Sequence, residues 1–184
     1  FLPGDNVAQA RFRIPLSGDS LAGRLTARWT NLDLIMPWTG VKGRLDLAAD
    51  FSGKRSAPHV SGTVTLRGPL MPFPRFAHAV TDYSVAAQVE DGRISITEAK
   101  GKLGGGDVKG TGRVGLGPSG VETIEVAVDG KDLLLSPLER TRALVDTNLR
   151  LIKDSRQFVL DGDVLIKRLN WRREVYEKFS ILAS

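Results

Sequence analysis

The sequence contains no cysteine, which excludes disulfides, thiolate nucleophiles and cysteine-ligated metal sites together. It has only two histidines, His59 and His78, and each follows a proline-containing turn with no carboxylate at ligand spacing beside it. Each histidine could be a metal ligand or general base, or simply a residue in a turn or on the surface. We expect a turn or surface position for both. We expect no catalytic residue, no metal and no cofactor, so the chain is predicted not to be an enzyme.

Long apolar runs are also missing. No stretch approaches the ~18 to 20 residues of a membrane-spanning helix, and no signal peptide is visible. The chain opens with Phe1-Leu2-Pro3-Gly4 and not with methionine. We therefore expect a piece of a longer polypeptide, with any membrane anchor outside it.

Charge of one sign is not concentrated in a block. The formal net charge is +5, but 26 Lys and Arg residues are interspersed with 21 Asp and Glu residues. The densest basic cluster is Lys167, Arg168, Arg172 and Arg173 around Trp171. It is typical of an amphipathic strand end, with lipid headgroups or nucleic-acid phosphate as the alternative. One aromatic residue supports base stacking poorly, so we expect no nucleic-acid partner.

What is present is alternation with a period of two, which places successive side chains on opposite faces of a sheet. In the segment 44–51, for example, Leu45, Leu47 and Phe51 alternate with Asp46 and Asp50. Similar runs recur to the end of the chain, separated by turn signals such as Asp91-Gly92, which predicts a hairpin. The pattern predicts an all-β fold, an elongated antiparallel sheet.

At most one short helix is expected, near 136–144. Ser136 suits an N-cap, Pro137 the first helical position and Glu139 the first turn. Segments 34–67 and 134–167 also align without gaps at an offset of one hundred residues, which matches Asp46 with Asp146 and Gly62 with Gly162. We interpret residues 1–184 as a single repetitive segment with approximate units 23–67, 79–116 and 121–173.

Four stretches resemble the AsmA-like superfamily and, within it, the TamB-type proteins. They are residues 43–53 (GRLDLAADFSG), 58–66 (PHVSGTVTL), 104–114 (GGGDVKGTGRV) and 160–168 (LDGDVLIKR). The resemblance implies a sheet curled into a U-shaped trough, or β-taco, with an apolar interior and a polar exterior. It also implies a periplasmic protein anchored in the inner membrane of diderm bacteria. Relatives are linked to phospholipid transport between the inner and outer membranes and to outer-membrane biogenesis, which makes an outer-membrane β-barrel assembly protein a possible partner.

From this we expect a lipid conduit whose groove binds phospholipid acyl chains without a polar residue acting as a stop. The predicted groove residues are Leu45, Leu47, Phe51, Val64, Leu66, Val85, Val89, Ile94, Ile96, Val114, Ile124, Val126, Val128, Leu149, Leu151, Leu160, Val164 and Ile166. Two other architectures stay open: a closed, lipocalin-like barrel with one ligand, and a structural β-solenoid or a scaffold for outer-membrane protein assembly.

Three smaller features have competing interpretations. Residues 110–115 form a G-x-G-x-x-G string, but alternation continues through it, so we expect a strand and not a dinucleotide site. Residues 71–76 (MPFPRF) are expected to be a crossover between repeats, with a plug over the groove as the alternative. Asp161 and Asp163 are expected to face solvent as edge-protecting or solubilising charges.

Overall fold

The computed structural model describes residues 6–15, 18–32, 39–72, 78–117, 120–136, 141–153 and 157–171. These residues form one sheet of ten strands in which each strand pairs antiparallel with the next in sequence. The strands are β1 (Val7–Arg13), β2 (Ser20–Trp29), β3 (Lys42–Lys54), β4 (Ala57–Met71), β5 (Val80–Glu90), β6 (Arg93–Leu103), β7 (Gly106–Gly117), β8 (Gly120–Leu135), β9 (Thr141–Lys153) and β10 (Phe158–Trp171). The prediction of an all-β antiparallel sheet is confirmed.

The connection between β5 and β6 shows how the sequence builds the meander. Asp91 and Gly92 both have positive φ, 45° and 78°, as a two-residue type I′ hairpin requires. Asp91 also accepts a hydrogen bond from the amide of Val60 on β4 (2.9 Å). The predicted hairpin is confirmed, and its turn residue also fixes the start of the neighbouring strand.

The helix expected near 136–144 is wrong where the structure describes the segment. Thr141–Leu144 belong to β9, and residues 137–140 lie outside the described part. Residues of β9 pair on both sides, as Ala143 does with Leu135 of β8 and Leu169 of β10. Two ladders of backbone hydrogen bonds and the burial of Ala143 outweigh a local N-cap signal. Within the described ranges no helix has the length and apolarity needed to cross a bilayer.

The sheet is open in the part of the chain that is described. β1 and β10 each have one neighbour only, so they form the two edges. The closed-barrel alternative is therefore wrong for these ten strands. Side chains buried almost completely are few, and the main group of them is Leu133, Ala143 and Val145 near one end of β8 and β9.

The hairpins β3–β4 and β9–β10 share one register at the offset of one hundred residues. Leu45 pairs with Leu66 as Val145 pairs with Ile166, and position 49 faces Gly62 as position 149 faces Gly162. In both hairpins a Cβ on the glycine would lie 2.0 to 2.4 Å from the carbonyl oxygen of residue 48 or 148. The equivalent glycines therefore meet the same close backbone approach.

Candidate functional site: the apolar face of the sheet

Cross-strand register determines which side chains share a face, because residues directly opposite each other project to the same side. Leu47 on β3 pairs with Ala27 on β2 and with Val64 on β4. Val64 pairs in turn with Ala87 on β5, and Ala87 with Ile96 on β6. Each step joins one apolar side chain to another, so a single apolar face crosses the strands.

The same chain of pairings extends over the remaining strands. Ile94 pairs with Val114, Val114 with Ile124, and Val126 with Leu151, which faces Leu160 on β10. All predicted groove residues lie on this one surface, which we call the apolar face. The predicted groove residues on the apolar face are Leu45, Leu47, Phe51, Val64, Leu66, Val85, Val89, Ile94, Ile96, Val114, Ile124, Val126, Val128, Leu149, Leu151, Leu160, Val164 and Ile166.

The apolar face is covered only in part. Its central members are half-buried by neighbouring side chains, and no second layer of strands or helices covers them within the described ranges. A shallow cleft of about 180 Å³ lies in the middle of the face, between side chains that include Val85, Ile96, Val126 and Val128. The cleft is apolar and open, which suits a flexible hydrocarbon better than a rigid polar ligand.

Polar side chains of β9, among them Thr147 and Lys153, interrupt the face. Thr147 lies opposite Gly130 and Val164, so it shares the apolar surface. Lys153 lies opposite Ile124 and Phe158, and its Nζ is 5.7 Å from the centre of the Phe158 ring. The expectation that no polar residue would break the lining is therefore wrong near β9, although these interruptions lie towards one side of the sheet.

Tyr83 also lies on this face, opposite Gly68. It begins the alternating run that continues with Val85 and Val89, but the sequence did not indicate a hydrogen bond from its hydroxyl. It is buried, and its hydroxyl donates a hydrogen bond to the backbone carbonyl of Lys42 (3.1 Å). Burial raises the pKa of Tyr83, so the hydroxyl keeps its proton and remains a donor at neutral pH. A tyrosine within a run of Val and Ala is only a weak sequence signal for such a hydrogen bond between strands.

The opposite face, which we call the polar face, carries cross-strand ion pairs. Arg24 on β2 binds Asp50 on β3 through two hydrogen bonds (2.7 and 3.0 Å), and Arg28 binds Asp46 (2.8 Å). The hydrogen bonds from these arginines lower the pKa of both carboxyls below the usual range. The pairs are exposed, so each stabilises the sheet little. They mark this face as the polar side of the sheet.

A second group of ion pairs lies on β8, β9 and β10. The Nζ of Lys167 lies 2.8 Å from Asp132 and 2.6 Å from Asp146. The hydrogen bonds with Asp132 and Asp146 raise the pKa of Lys167. Within the predicted basic cluster, the positive charge of Lys167 is thus balanced by two aspartates of the same sheet. Arg172 and Arg173 lie outside the described residues, so the headgroup-binding alternative for the cluster stays untested.

The two histidines occupy positions at strand ends. His59 is exposed, and its Nδ1 lies 2.6 Å from Oδ2 of Asp91. The Nε2 of His78 accepts a hydrogen bond from the amide of Ser136 (2.9 Å). The structure therefore gives His59 a carboxylate partner that sequence spacing did not reveal, because the partner comes from a different hairpin. No group of three or more possible metal ligands occurs in the described ranges.

The glycine-rich string 110–115 lies in the middle of β7. A Cβ at Gly112 would meet the carbonyl oxygen of Glu125 at 2.6 Å and the Val126 side chain at 2.8 Å. The prediction of a strand glycine that allows close approach is confirmed.

Asp161 and Asp163 lie on the exposed edge strand β10, on the polar face, as expected. Of the segment 71–76, Met71 ends β4 and residues 73–76 lie outside the described part.

Comparison with protein-family models, with curated proteins and with solved structures found no match for this chain.

Proposed function

We propose that the apolar face binds the acyl chains of phospholipids and that the sheet is a segment of a non-enzymatic lipid conduit. The observation that carries the proposal is the register: it collects the apolar side chains of ten strands on one uncovered surface. An apolar surface of this extent costs free energy in water, so it is expected to have an apolar partner. A hydrocarbon chain fits because the surface offers few polar groups to orient anything else.

The energetic scale is compatible with binding that is reversible. Burial of one CH₂ group is worth about 0.8 kcal/mol, so a chain of ~16 carbons lying half-buried on the face would gain roughly 6 kcal/mol. An open surface without a deep pocket holds a lipid at no single position. A lipid could therefore move along the face, which is the property a conduit needs.

The wider setting is proposed from the resemblance to the TamB-type proteins. In it the sheet curls into a U-shaped trough with the apolar face inside, in a periplasmic protein anchored to the inner membrane. The trough would pass phospholipid between the inner and outer membranes, or support outer-membrane biogenesis together with an outer-membrane β-barrel assembly protein. The separation of one apolar and one ion-paired face supports this arrangement, because a trough needs a dry inside and a wet outside.

Site-specific photo-crosslinking tests the proposal on the purified chain. Benzoylphenylalanine is placed at Val64 or Val126 on the apolar face, and in matched controls at Thr63 or Ala127, the neighbouring positions on the polar face. The protein is illuminated with vesicles of phosphatidylethanolamine and phosphatidylglycerol whose acyl chains carry a radioactive label. We expect labelled adducts from Val64 and Val126 and at most a few per cent of that yield from the controls.

The two results that contradict the proposal are distinct. Equal labelling from both faces would mean non-specific adsorption of vesicles. No labelling from the apolar face, with circular dichroism still showing a sheet, would mean that the face does not bind acyl chains. The second result would favour the scaffold alternative, in which the face contacts another protein.

A further inference from the structure

The polar face is hollowed out over strands β2, β3 and β4, with β1 along one side. The hollow has a volume of about 750 Å³, within the roughly 300 to 1,000 Å³ typical of small-molecule sites. Its floor is low because Ala48 lies between Thr26 and Thr63, so that three short side chains share one row. Its charged residues are Arg28 on β2 and Arg44 and Asp46 on β3. Both of these strands have a neighbour on each side, so the charged group does not depend on where the sheet ends.

One carboxylate in the hollow is shared by two arginines. The Nε of Arg28 lies 2.8 Å from Oδ1 of Asp46, and the Nε of Arg44 lies 3.1 Å from Oδ2. Because both contacts use Nε, the terminal Nη groups of the two arginines make no hydrogen bond with any residue that the structure describes. The carboxylate therefore holds both guanidiniums while leaving charged donors for a ligand.

A third arginine stands beside the hollow without an ion-pair partner. Arg67 on β4 lies directly opposite Arg44, a placement that sets the two Cβ atoms about 5 Å apart. It forms no ion pair within the described ranges. Like charges in this position destabilise a strand pair. Three guanidiniums against the one carboxylate of Asp46 leave an excess of two positive charges.

We propose that the hollow binds a phosphate monoester carried on a hydroxylated body, a sugar or polyol, with the phosphate between Arg44 and Arg67. A phosphate monoester has close to two negative charges at neutral pH, which matches the excess of positive charge. Guanidinium groups donate hydrogen bonds in pairs to phosphate oxygens. A single carboxylate would balance only half of the excess. The inference is independent of the acyl-chain proposal, since the hollow lies on the opposite side of the sheet.

The remaining lining of the hollow suits the hydroxylated body. Thr26, Thr63 and Thr65 line it, and their hydroxyls make no hydrogen bond within the described part of the chain. A threonine hydroxyl both donates and accepts, as the hydroxyls of a sugar or polyol do. A bare phosphate ion would fill only a small part of 750 Å³. The ligand is therefore expected to be larger than its phosphate group.

Isothermal titration calorimetry of the whole chain, in a buffer free of phosphate, tests the proposal. The probes are inositol monophosphate, inorganic phosphate and inositol. We expect inositol monophosphate to bind with a dissociation constant of about 1 mM or lower, the range that a few charge-assisted hydrogen bonds give at an open site. Inorganic phosphate should bind several times more weakly, and inositol should give no measurable heat. Equal affinity for inorganic phosphate and inositol monophosphate would overturn the assignment of the hollow to the hydroxylated body.

Substitutions locate the binding site. Arg44→Gln and Arg67→Gln should each raise the dissociation constant for inositol monophosphate by roughly tenfold or more, because each removes charged donors to the phosphate. Arg24→Gln is the matched control: it removes the same charge from the same face, but Arg24 is paired with Asp50 and does not line the hollow. It should leave the affinity within about twofold. A control that weakens binding as much as Arg67→Gln would overturn the site, as would no saturable binding up to about 10 mM.

Urea denaturation separates lost binding from a folding defect. Without ligand, Arg67→Gln should be at least as stable as the unaltered chain, because the repulsion from Arg44 is gone. Inositol monophosphate should raise the urea midpoint of the unaltered chain and of Arg24→Gln, and it should leave that of Arg67→Gln unchanged. A ligand-free Arg67→Gln variant that is clearly less stable would give Arg67 a structural role and contradict the proposal.

The phosphate monoester can belong to a soluble molecule or to a lipid headgroup, and vesicles distinguish the two. The chain is sedimented with phosphatidylcholine vesicles that contain or lack phosphatidylinositol monophosphate. Extra binding to the phosphorylated vesicles that is lost in Arg67→Gln and displaced by inositol monophosphate would assign a headgroup. Binding of free inositol monophosphate without that extra binding would assign a soluble ligand. Binding to plain phosphatidylcholine vesicles measures the acyl-chain proposal separately, so either proposal can fail without the other.

Discussion

The hydroxyl of Tyr83 on β5 reaches the backbone carbonyl of Lys42 on β3, although β4 lies between these two strands. The path is open because the intervening residue is Gly68, where a Cβ would lie 2.8 Å from the tyrosine oxygen and 2.0 Å from the carbonyl oxygen of Lys42. Three consecutive strands are therefore fastened at one end of the sheet by a contact that no pair of neighbours could make.

Removal of this hydroxyl is expected to destabilise the sheet. Tyr83→Phe should lower the free energy of unfolding by about 1 kcal/mol, the usual value of a partly buried hydrogen bond. Gly68→Ala should cost more, roughly 2 to 3 kcal/mol, because the new methyl group would force strands apart. Urea denaturation followed by circular dichroism measures both. In the Gly68→Ala background the tyrosine change should cost almost nothing, and full additivity would contradict the proposed coupling.

Asp91 should tolerate asparagine and not alanine. Its Oδ1 accepts the amide of Val60, and its backbone has a φ of 45°, which asparagine also adopts with little strain. We expect Asp91→Asn to change the free energy of unfolding by under ~0.5 kcal/mol and Asp91→Ala to lower it by about 1 to 2 kcal/mol. His59→Ala serves as the control, since the contact of His59 with Asp91 is exposed and adds little. Equal losses from Asn and Ala would mean that the carboxylate charge matters and the hydrogen bond does not.

A carboxylate on the apolar face should prevent acyl-chain binding. Val126→Asp is expected to weaken the binding of a fluorescent palmitate by at least roughly tenfold, because a charge in contact with hydrocarbon is costly. Ala127→Asp puts the same charge one residue away on the polar face and should bind normally. Val126→Thr, which is close to valine in shape, covers the case in which the aspartate variant does not fold. Normal binding by both Val126 variants would contradict the acyl-chain proposal.

Acid should destabilise the sheet below about pH 4. The pKa of Asp146 is lowered chiefly by the amide of Asp132 and then by Lys167, and the pKa of Asp50 is lowered by its hydrogen bond from Arg24. A lowered pKa in the folded state stabilises the fold above the unfolded value, near 3.9, and this contribution is lost as the pH falls through the folded value. The urea midpoint should therefore stay level from pH 7 to 5 and fall between pH 4 and 2.

The variant Asp146→Asn is the control for this pH dependence. It should be less stable than the unaltered chain at pH 7 and should lose less stability on acidification, because one of the contributing carboxylates is gone. If the urea midpoint falls equally in both proteins on acidification, Asp146 does not contribute to the pH dependence.

Period-two alternation predicted the two faces of the sheet because the side-chain period of a strand is fixed by backbone geometry. Leu47, Val64 and Val126 therefore share a face as expected. Strict alternation fails at β-bulges: on β8 the apolar face passes from the even position Val128 to the odd position Leu133 across the register shift between Gly130 and Leu133. Thr141–Leu144 were misjudged because the signal for a helix start is local, whereas the strand is held by partners on both sides.

Other features depend on which strands become neighbours. The pairing of His59 with Asp91 joins two hairpins, and the bond from Tyr83 to Lys42 crosses a whole strand. Neither follows from a pattern within one strand. The same is true of the edges: alternation in Phe158–Trp171 resembles that of any central strand, so nothing in it shows that β10 has a single neighbour.

The sequential order of the strands has a consequence for how the chain folds. Because every strand pairs with the one before it, each new strand needs only a short loop to find its partner, and no distant segment has to arrive first. The sheet is therefore expected to form by adding strands one after another to a paired nucleus. Its outermost strands are expected to open first. In hydrogen–deuterium exchange, amides of β4 to β7 should be the slowest and those of β1 and β10 the fastest.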